Sequence, residues 1–442
     1  MTESLLGHLP AAHPLSIRQA ARGAIFLGRY EPLSMWEQDT LALPRSLRGY
    51  RRKLRSFARE HLQPRARAGD SLTPDKAELE TLLSIAARAG LLSDSLPRPL
   101  GSASLRLIAQ PLQFTTCIKM EELCTACGGL GLAIGAHSLG TAPLVLSGRF
   151  KDIWRLLLPA YRRSRSGQPT LFAFALTEPS AGSDMEDGHG AAKLRPGTVA
   201  RRVEGGYLLT GRKVFISGGD RADAISVFSA LEGEGMPSWT CFYVEARSPG
   251  FRVVRSELKM GQRASSAAEL QFDGVFVPDR HVIGELRKGW ALNRVTLNFS
   301  RLPTAAVALG IARGALEAAV DFACQQRLGG RPLIDYQEVQ LAVVQMIAET
   351  SAMRALIWQS AARFTPTQAK ASLAKFHCSD RAVEVCNLAM NLLGNHGILP
   401  GNRVEKDFRD ARLTQIYEGT NDINRLAVME DLQEQFLERV TP

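Results

Sequence analysis

The 442-residue sequence predicts an α+β multidomain fold: a helical N-terminal domain, a middle β-barrel or β-sandwich domain and a C-terminal helical bundle. Three observations carry this. Apolar residues recur at three- and four-residue spacing from Leu47 to about Ser166. From Leu171 the texture changes to short β-rich runs broken by Gly, Pro and Asp. From Gly289 to Leu437 long helical patterns return. The boundaries drawn are an extension over 1–45, a helical domain over 46–168, the β-domain over 169–286 and the bundle over 287–442.

In chain order, "LSIRQAARGAIFLGRY" (Leu15 to Tyr30) is basic and partly amphipathic, as a transit peptide would be. Glu3, Glu31, Glu37 and Asp39 dilute that pattern, so a folded or flexible extension is expected. "LRGYRRKLRSFAREHLQPRA" predicts a helix ended by Pro64, and "DKAELETLLSIAARAG" one closed by Gly90. An irregular stretch, Ser93 to Pro111, precedes helices around Thr116 to Ala126 and Phe150 to Tyr161. "LFAFALTE", "GYLLTGRKVFISG", "AISVFSAL", "SWTCFYVEA" and "AELQFDGVFVP" read as strands. "RGALEAAVDFACQQR", "YQEVQLAVVQMIAETSAMRALIWQSAARF" and "PTQAKASLAKFHCSDRAVEVCNLAMNLLG" read as antiparallel bundle helices.

Composition narrows the function. Hydrophobic residues are 45% and charged residues 22%, ordinary for a globular protein. No apolar run approaches the roughly 20 residues that span a bilayer, so stable membrane insertion is not expected. A formal charge of +10 and a pI near 9.4 suit an anionic ligand such as a phosphate-bearing coenzyme. Lys and Arg are widely spread without interleaved aromatics, which argues against nucleic acid. Seven cysteines, an odd number, suggest reduced thiols and a cytoplasmic home, or a mitochondrial matrix in a eukaryote. Cys124 and Cys127 form a CxxC without a second pair, and the eight histidines give no HExxH, so no metal site is expected.

The chemistry sits in a few stretches. "RDARLTQIYEGTNDINRL" (Arg409 to Leu426) breaks between two helical patterns, with Gly419 giving backbone freedom and Thr420 or Asn421 a cap for the next helix. Glu418, in that break, can point into a cavity; alone, it reads as a solvated loop acid. "ALTEPSAGSD" (Ala175 to Asp184) is an irregular turn that places hydroxyls and amides where a planar polar cofactor could lie. "LTGRKVFISGG" puts Phe215 and Ser217 on one face of a strand, a wall suited to a flavin ring.

With "MGQRASSAAELQFDGVFVPDRHVIGE" (Met260 to Glu285), these stretches resemble the acyl-CoA dehydrogenase family, in the family's order and across most of Leu47 to Leu437. The resemblance implies a four-helix C-terminal bundle, with FAD wedged between it and the β-domain and shared across a homodimer or homotetramer interface. It implies an acyl-CoA substrate, Glu418 as α-proton base, hydride transfer to the flavin, and an electron-transfer flavoprotein as acceptor. FAD contacts are expected at Leu176, Thr177, Ser183, Phe215 and Ser217, and at Arg327, Asn391, Gly394, Thr420 and Asp422. Substrate contacts are expected at Ser183, Asn298, Arg301, Tyr417 and Gly419. A branch of the family carries its base at the position of Ser300, which cannot serve, so Glu418 selects the other branch.

Several residues depart from the family pattern. Phe215 stands for the usual Trp and Ser217 for Thr. Gln326 and Gly329 replace an Arg and a Phe, with Arg327 or Arg331 as substitutes toward the FAD pyrophosphate. Asn391 replaces a common Gln, Asn395 replaces a Gly, and the segment after Met185 is longer than usual. A catalytically silent scaffold and an acyl-CoA oxidase are the alternative readings. Gly131 and Gly135 match positions that close the pocket of medium-chain members; they either permit close helix packing or deepen the pocket toward long, branched or cyclic acyl groups.

Overall fold

The computed structural model describes residues 39–104, 110–188 and 190–440, so the expected extension lies almost wholly outside the described residues. The order is helical, β, helical.

The N-terminal helices are α1 (Arg45–Phe57), α2 (Lys76–Arg88), α3 (Leu112–Ala126), α4 (Gly128–Leu146) and α5 (Leu158–Arg165). Pro64 does not end the first helical segment. The chain widens into a π-type turn, Ala58–Leu62, and runs on through Gln63–Arg65, with Pro64 in the first turn of that piece. A widened turn accommodates the ring and the missing N–H that would break a regular helix. Asp75 caps α2, its Oδ1 accepting from Ala77 N at 2.8 Å. Helix α4 carries five glycines and Pro143, a composition that periodicity alone does not reveal as helical. Packing overrides propensity there: a Cβ on Gly140 would meet the carbonyl carbon of Phe172 at 2.5 Å.

The middle domain holds β1 (Phe172–Ala175), β2 (Val199–Val203), β3 (Gly206–Ser217), β4 (Ala224–Leu231), β5 (Thr240–Glu245), β6 (Phe251–Ser256), β7 (Ala267–Pro278) and β8 (Val282–Ile283). The strand order is β6-β7-β3-β2-β4-β5-β8, and β1 also pairs with β4. β4 pairs in parallel with β1 at Phe172↔Ala224 and with β2 at Val199↔Ala230, so the sheet forks along one strand. β2 and β6 escape the sequence reading: β2 is only five residues long with adjacent arginines, Arg201 and Arg202, at its centre, and β6 is largely exposed.

The C-terminal helices are α6 (Gly289–Gln325), α7 (Gln337–Ala361), α8 (Gln368–Leu393), α9 (Arg403–Thr414) and α10 (Asn421–Val440). One apolar core runs from α1, α3 and α4 into α6 through α9, joining Leu47, Ile118, Leu309, Met353 and Ala411. A second core, with Leu144, Tyr161, Met185 and Trp239, joins α4 and α5 to the sheet. The irregular loop between α9 and α10, and the turn after β1, are thus held by rigid elements on both sides.

Candidate active site

Glu418 sits at φ 57° in the loop between α9 and α10, and Gly419 follows at φ 77°. Two successive positive-φ residues turn the chain sharply. Thr420 then caps α10, its Oγ1 accepting from Ile423 N at 3.3 Å. The carbonyls of Glu418, Gly419 and Thr420 are taken up. Asn424 Nδ2 donates to Gly419 O and Thr420 O at 3.0 Å and to Glu418 O at 3.3 Å, while Lys375 Nζ donates to Gly419 O at 2.6 Å.

The Glu418 carboxylate accepts from the Ser300 hydroxyl on α6. Next to Ser300, buried Arg301 donates through Nη2 to Glu186 Oε2 at 2.7 Å and through Nη1 to Ser372 Oγ at 3.0 Å. Burial pushes the Glu418 carboxyl up to about 7; Ser300 pulls it down, Glu186 adds to the rise, and Arg301 and Lys375 oppose it. Burial likewise brings the Lys375 ammonium down to about 7, against the pull of Glu186 and Glu418. An acid and a lysine both shifted toward neutrality make this loop a candidate functional site.

The turn after β1 meets this loop directly. Ser183 Oγ accepts from Thr420 N at 3.1 Å. Glu178 in the same turn pairs with buried Lys213 at 2.8 Å, and Lys213 also donates to Leu176 O at 2.7 Å. On the other side, Gln262 Nε2 lies 3.3 Å from the Tyr417 hydroxyl and 2.8 Å from Asp410 O.

Family models described as acyl-CoA dehydrogenase N-terminal, middle and C-terminal domains match residues 45–151, 173–275 and 287–433. An acyl-CoA dehydrogenase of Bacillus subtilis (strain 168) is 33% identical over 383 residues, 86% of this chain and 95% of that protein. The chain belongs to the acyl-CoA dehydrogenase family. The solved butyryl-CoA dehydrogenase of Megasphaera elsdenii superposes with a TM-score of 0.79 at 30% identity, over 88% of this chain and 99% of that one. An acyl-CoA dehydrogenase from Bacillus anthracis, solved with FAD, gives 0.80 at 25% identity, covering 91% of this chain and 68% of its own.

Acyl-CoA dehydrogenases depend on FAD, and the residues here fit a flavin. Phe215 is 62% exposed at φ 58°, in a bulge between Lys213 and Ile216 that breaks the regular alternation expected for β3. Phe215 and Ser217 still flank buried Ile216, and Val214 N bonds Thr177 O at 2.9 Å, so the exposed ring stands beside the turn. A large aromatic left uncovered there is a surface that a planar ring can cover.

The other expected residues divide. Ser183, Ser300, Arg301, Gly419 and Thr420 gather around the Glu418 loop, Thr177 stands in the same turn as Ser183, bonded to Val214, and Asn298 Oδ1 accepts from Arg301 at 3.3 Å. The Leu176 side chain is core, and its carbonyl is occupied by Lys213. Asp422 turns to solvent and pairs with Arg425 at 2.9 Å, because the first turn of α10 exposes that face. Asn391 and Gly394 lie at the exposed end of α8. Arg327 is on an exposed hairpin, bonded to Gly330 O at 2.9 Å.

For Gly131, close packing is what the structure contains: a Cβ would fall 2.6 Å from Cys124 Sγ and 3.1 Å from its amide. The missing side chain lets α3 and α4 touch rather than opening room for methylenes. At Gly135 a Cβ meets only the tip of Met120, 2.6 Å from Cε, which can swing aside. Gly131→Glu is therefore expected to lower the thermal midpoint without changing acyl preference, as measured by melting and by rates across chain lengths.

Glu186, Lys375 and Gln262 were not singled out from the sequence. Glu186 falls within the long segment after the turn, where spacing carries no signal. A lysine within α8 resembles any surface lysine until its burial is seen.

Proposed function

We propose that the chain oxidises an acyl-CoA thioester to the 2-enoyl-CoA, with Glu418 removing the α-proton. The observation that carries this reading is the placement of Glu418: a carboxylate at positive φ, bonded to Ser300 and held by burial at a basicity near neutral. An α-hydrogen beside a thioester is too weak an acid for an ordinary carboxylate in water. Burial raises the base, and hydrogen bonds to the thioester oxygen stabilise the enolate-like charge.

The chain's own residues supply orientation. Ser300 aims the carboxylate, Gly419 and the Asn424 bonds fix the loop, and Ser183 ties it to the turn on which Thr177 stands. Bound FAD would supply the hydride acceptor for the β-hydrogen. Phe215, Ser217, Thr177 and Ser183 would hold the flavin ring. Arg327 would act toward the FAD of a second copy in a homodimer or homotetramer. An electron-transfer flavoprotein is the acceptor that fits the family.

Anaerobic mixing of the FAD-loaded protein with an acyl-CoA panel tests the reading. Bleaching of the flavin with one enoyl-CoA per FAD supports it; a protein that stays colourless after incubation with excess FAD, or a flavin no acyl-CoA reduces, overturns it.

A pH dependence follows with a definite sign. Glu418 must be unprotonated to act, and its carboxyl is raised to about 7, so activity is present above that pH and lost below it. The bleaching rate is expected to fall about 30-fold from its plateau by about 1.5 pH units below that midpoint. A rate flat from pH 5.5 to pH 8 would contradict it.

A further inference from the structure

The segment after Ser183 brings to the site a carboxylate that proton abstraction does not itself require. Glu186 ends the short turn Ser183–Glu186, and its side chain is 4% exposed. Its carbonyl accepts from Arg294 Nη1 at 3.1 Å, and Arg294 Nη2 in turn meets Glu430 at 2.9 Å. A Cβ on Gly419 would lie 2.8 Å from Glu186 Oε2, so this carboxylate packs on the residue that follows the base.

Arg301 is the link. Its Nη2 is held by Glu186, its Nη1 by Ser372 and Asn298, and its buried Nε has no partner among the described residues. It adjoins Ser300, which bonds Glu418. A guanidinium stays charged at any working pH, so a buried Arg301 without Glu186 would turn to a remaining anion whose charge it already feels, Glu418.

We propose that Glu186 is a positioning residue for the base: it occupies Arg301, keeping the guanidinium off Glu418, and packs on Gly419 to hold the loop. The proposal rests on Glu418 being the base. An arginine paired to a carboxylate lowers its basicity by about one to three pH units, which would disarm a base set near neutral. The other charged or titratable groups facing Glu418 are Lys375 from α8 and Tyr417 from its own loop; Asp380 lies behind Asn421.

The test compares wild type, Glu186→Gln, Glu186→Asp and the double variant Glu186→Gln with Arg301→Gln. The Glu418 carboxyl is titrated by infrared difference spectroscopy, its band assigned by its loss in Glu418→Gln, and flavin bleaching by acyl-CoA is followed across pH. In Glu186→Gln, the carboxyl titration and the acid limb of bleaching are expected to move down by about one to three units. Bleaching at pH 8 is expected to fall at least about tenfold. Removing the Arg301 charge as well returns the titration to the wild-type position, which a merely structural role would not do. Should Glu186→Gln fail to fold, Glu186→Asp decides: a wild-type titration supports the proposal, and a displaced one overturns it. A Glu186→Gln titration equal to wild type, or one still displaced in the double variant, overturns it too. A wild type that never bleaches sinks the dehydrogenase reading instead, and the infrared titration still reports on Glu186.

Discussion

Glu418→Gln is expected to lower the rate of flavin bleaching by acyl-CoA about 10²- to 10⁴-fold, with FAD content and acyl-CoA affinity largely kept. The amide preserves the shape and the bond to Ser300 but has no basic lone pair to take a proton. It also removes a buried carboxyl that titrates near 7, so the loop should not loosen. Rapid anaerobic mixing reads the rate, and flavin absorbance before mixing reads the cofactor. Bleaching within a few-fold of wild type would assign the proton abstraction to another residue.

The largest effect on stability is expected from Arg313→Met. Arg313 is fully buried in α6 and donates to Glu121 and Glu122 of α3, both at 2.9 Å, and to Glu317 at 3.1 Å. Arg354 of α7 meets Glu121 at 2.7 Å, and Arg51 of α1 pairs with Glu122, so one ionic network joins four helices across both helical domains. Removing the central guanidinium leaves buried carboxylates short of a counter-charge, a loss of about 3–5 kcal/mol. The urea midpoint at pH 7 should fall by roughly 1 M or more. A midpoint unchanged within error would show that the network contributes nothing net.

The same network has an acid dependence. Burial pushes the Glu121 carboxyl up, but Arg354 and Arg313 outweigh it and hold it down at about 2. A lowered folded-state pKa gives stability that is present above the ordinary carboxylate range and lost as pH falls toward 2. Without Arg313 the folded-state pKa rises toward the unfolded value, so less stability is left to lose in acid.

How much of this was legible in the sequence follows from what each signal depends on. Strands β1, β3, β4, β5 and β7 alternate or run apolar, and α2, α6 and α8 repeat at helical spacing, so local pattern and final structure agree. Helix α4 did not show itself, because glycines chosen for contact with α3 and β1 erase the helical composition. Pro64 misled for the opposite reason: a local breaker is absorbed by one widened turn. At the site, the loop around Glu418 announced itself through Gly419 and the α10 cap. Glu186 and Lys375 did not, since what makes them matter is burial and a partner about 115 or 44 residues away. Glu178 and Lys213 lie inside two of the matching stretches, yet nothing local marks two residues 35 apart as partners.

The most direct measurement of the central claim is single-turnover flavin bleaching with an acyl-CoA deuterated at the α-carbon, under anaerobic conditions at pH 8. If Glu418 takes the α-proton as the flavin is reduced, bleaching slows with the α-deuterated substrate, and 2-enoyl-CoA forms one per FAD. The contrary result is bleaching at the same rate with either isotope in wild type, or enoyl-CoA formation undiminished in Glu418→Gln.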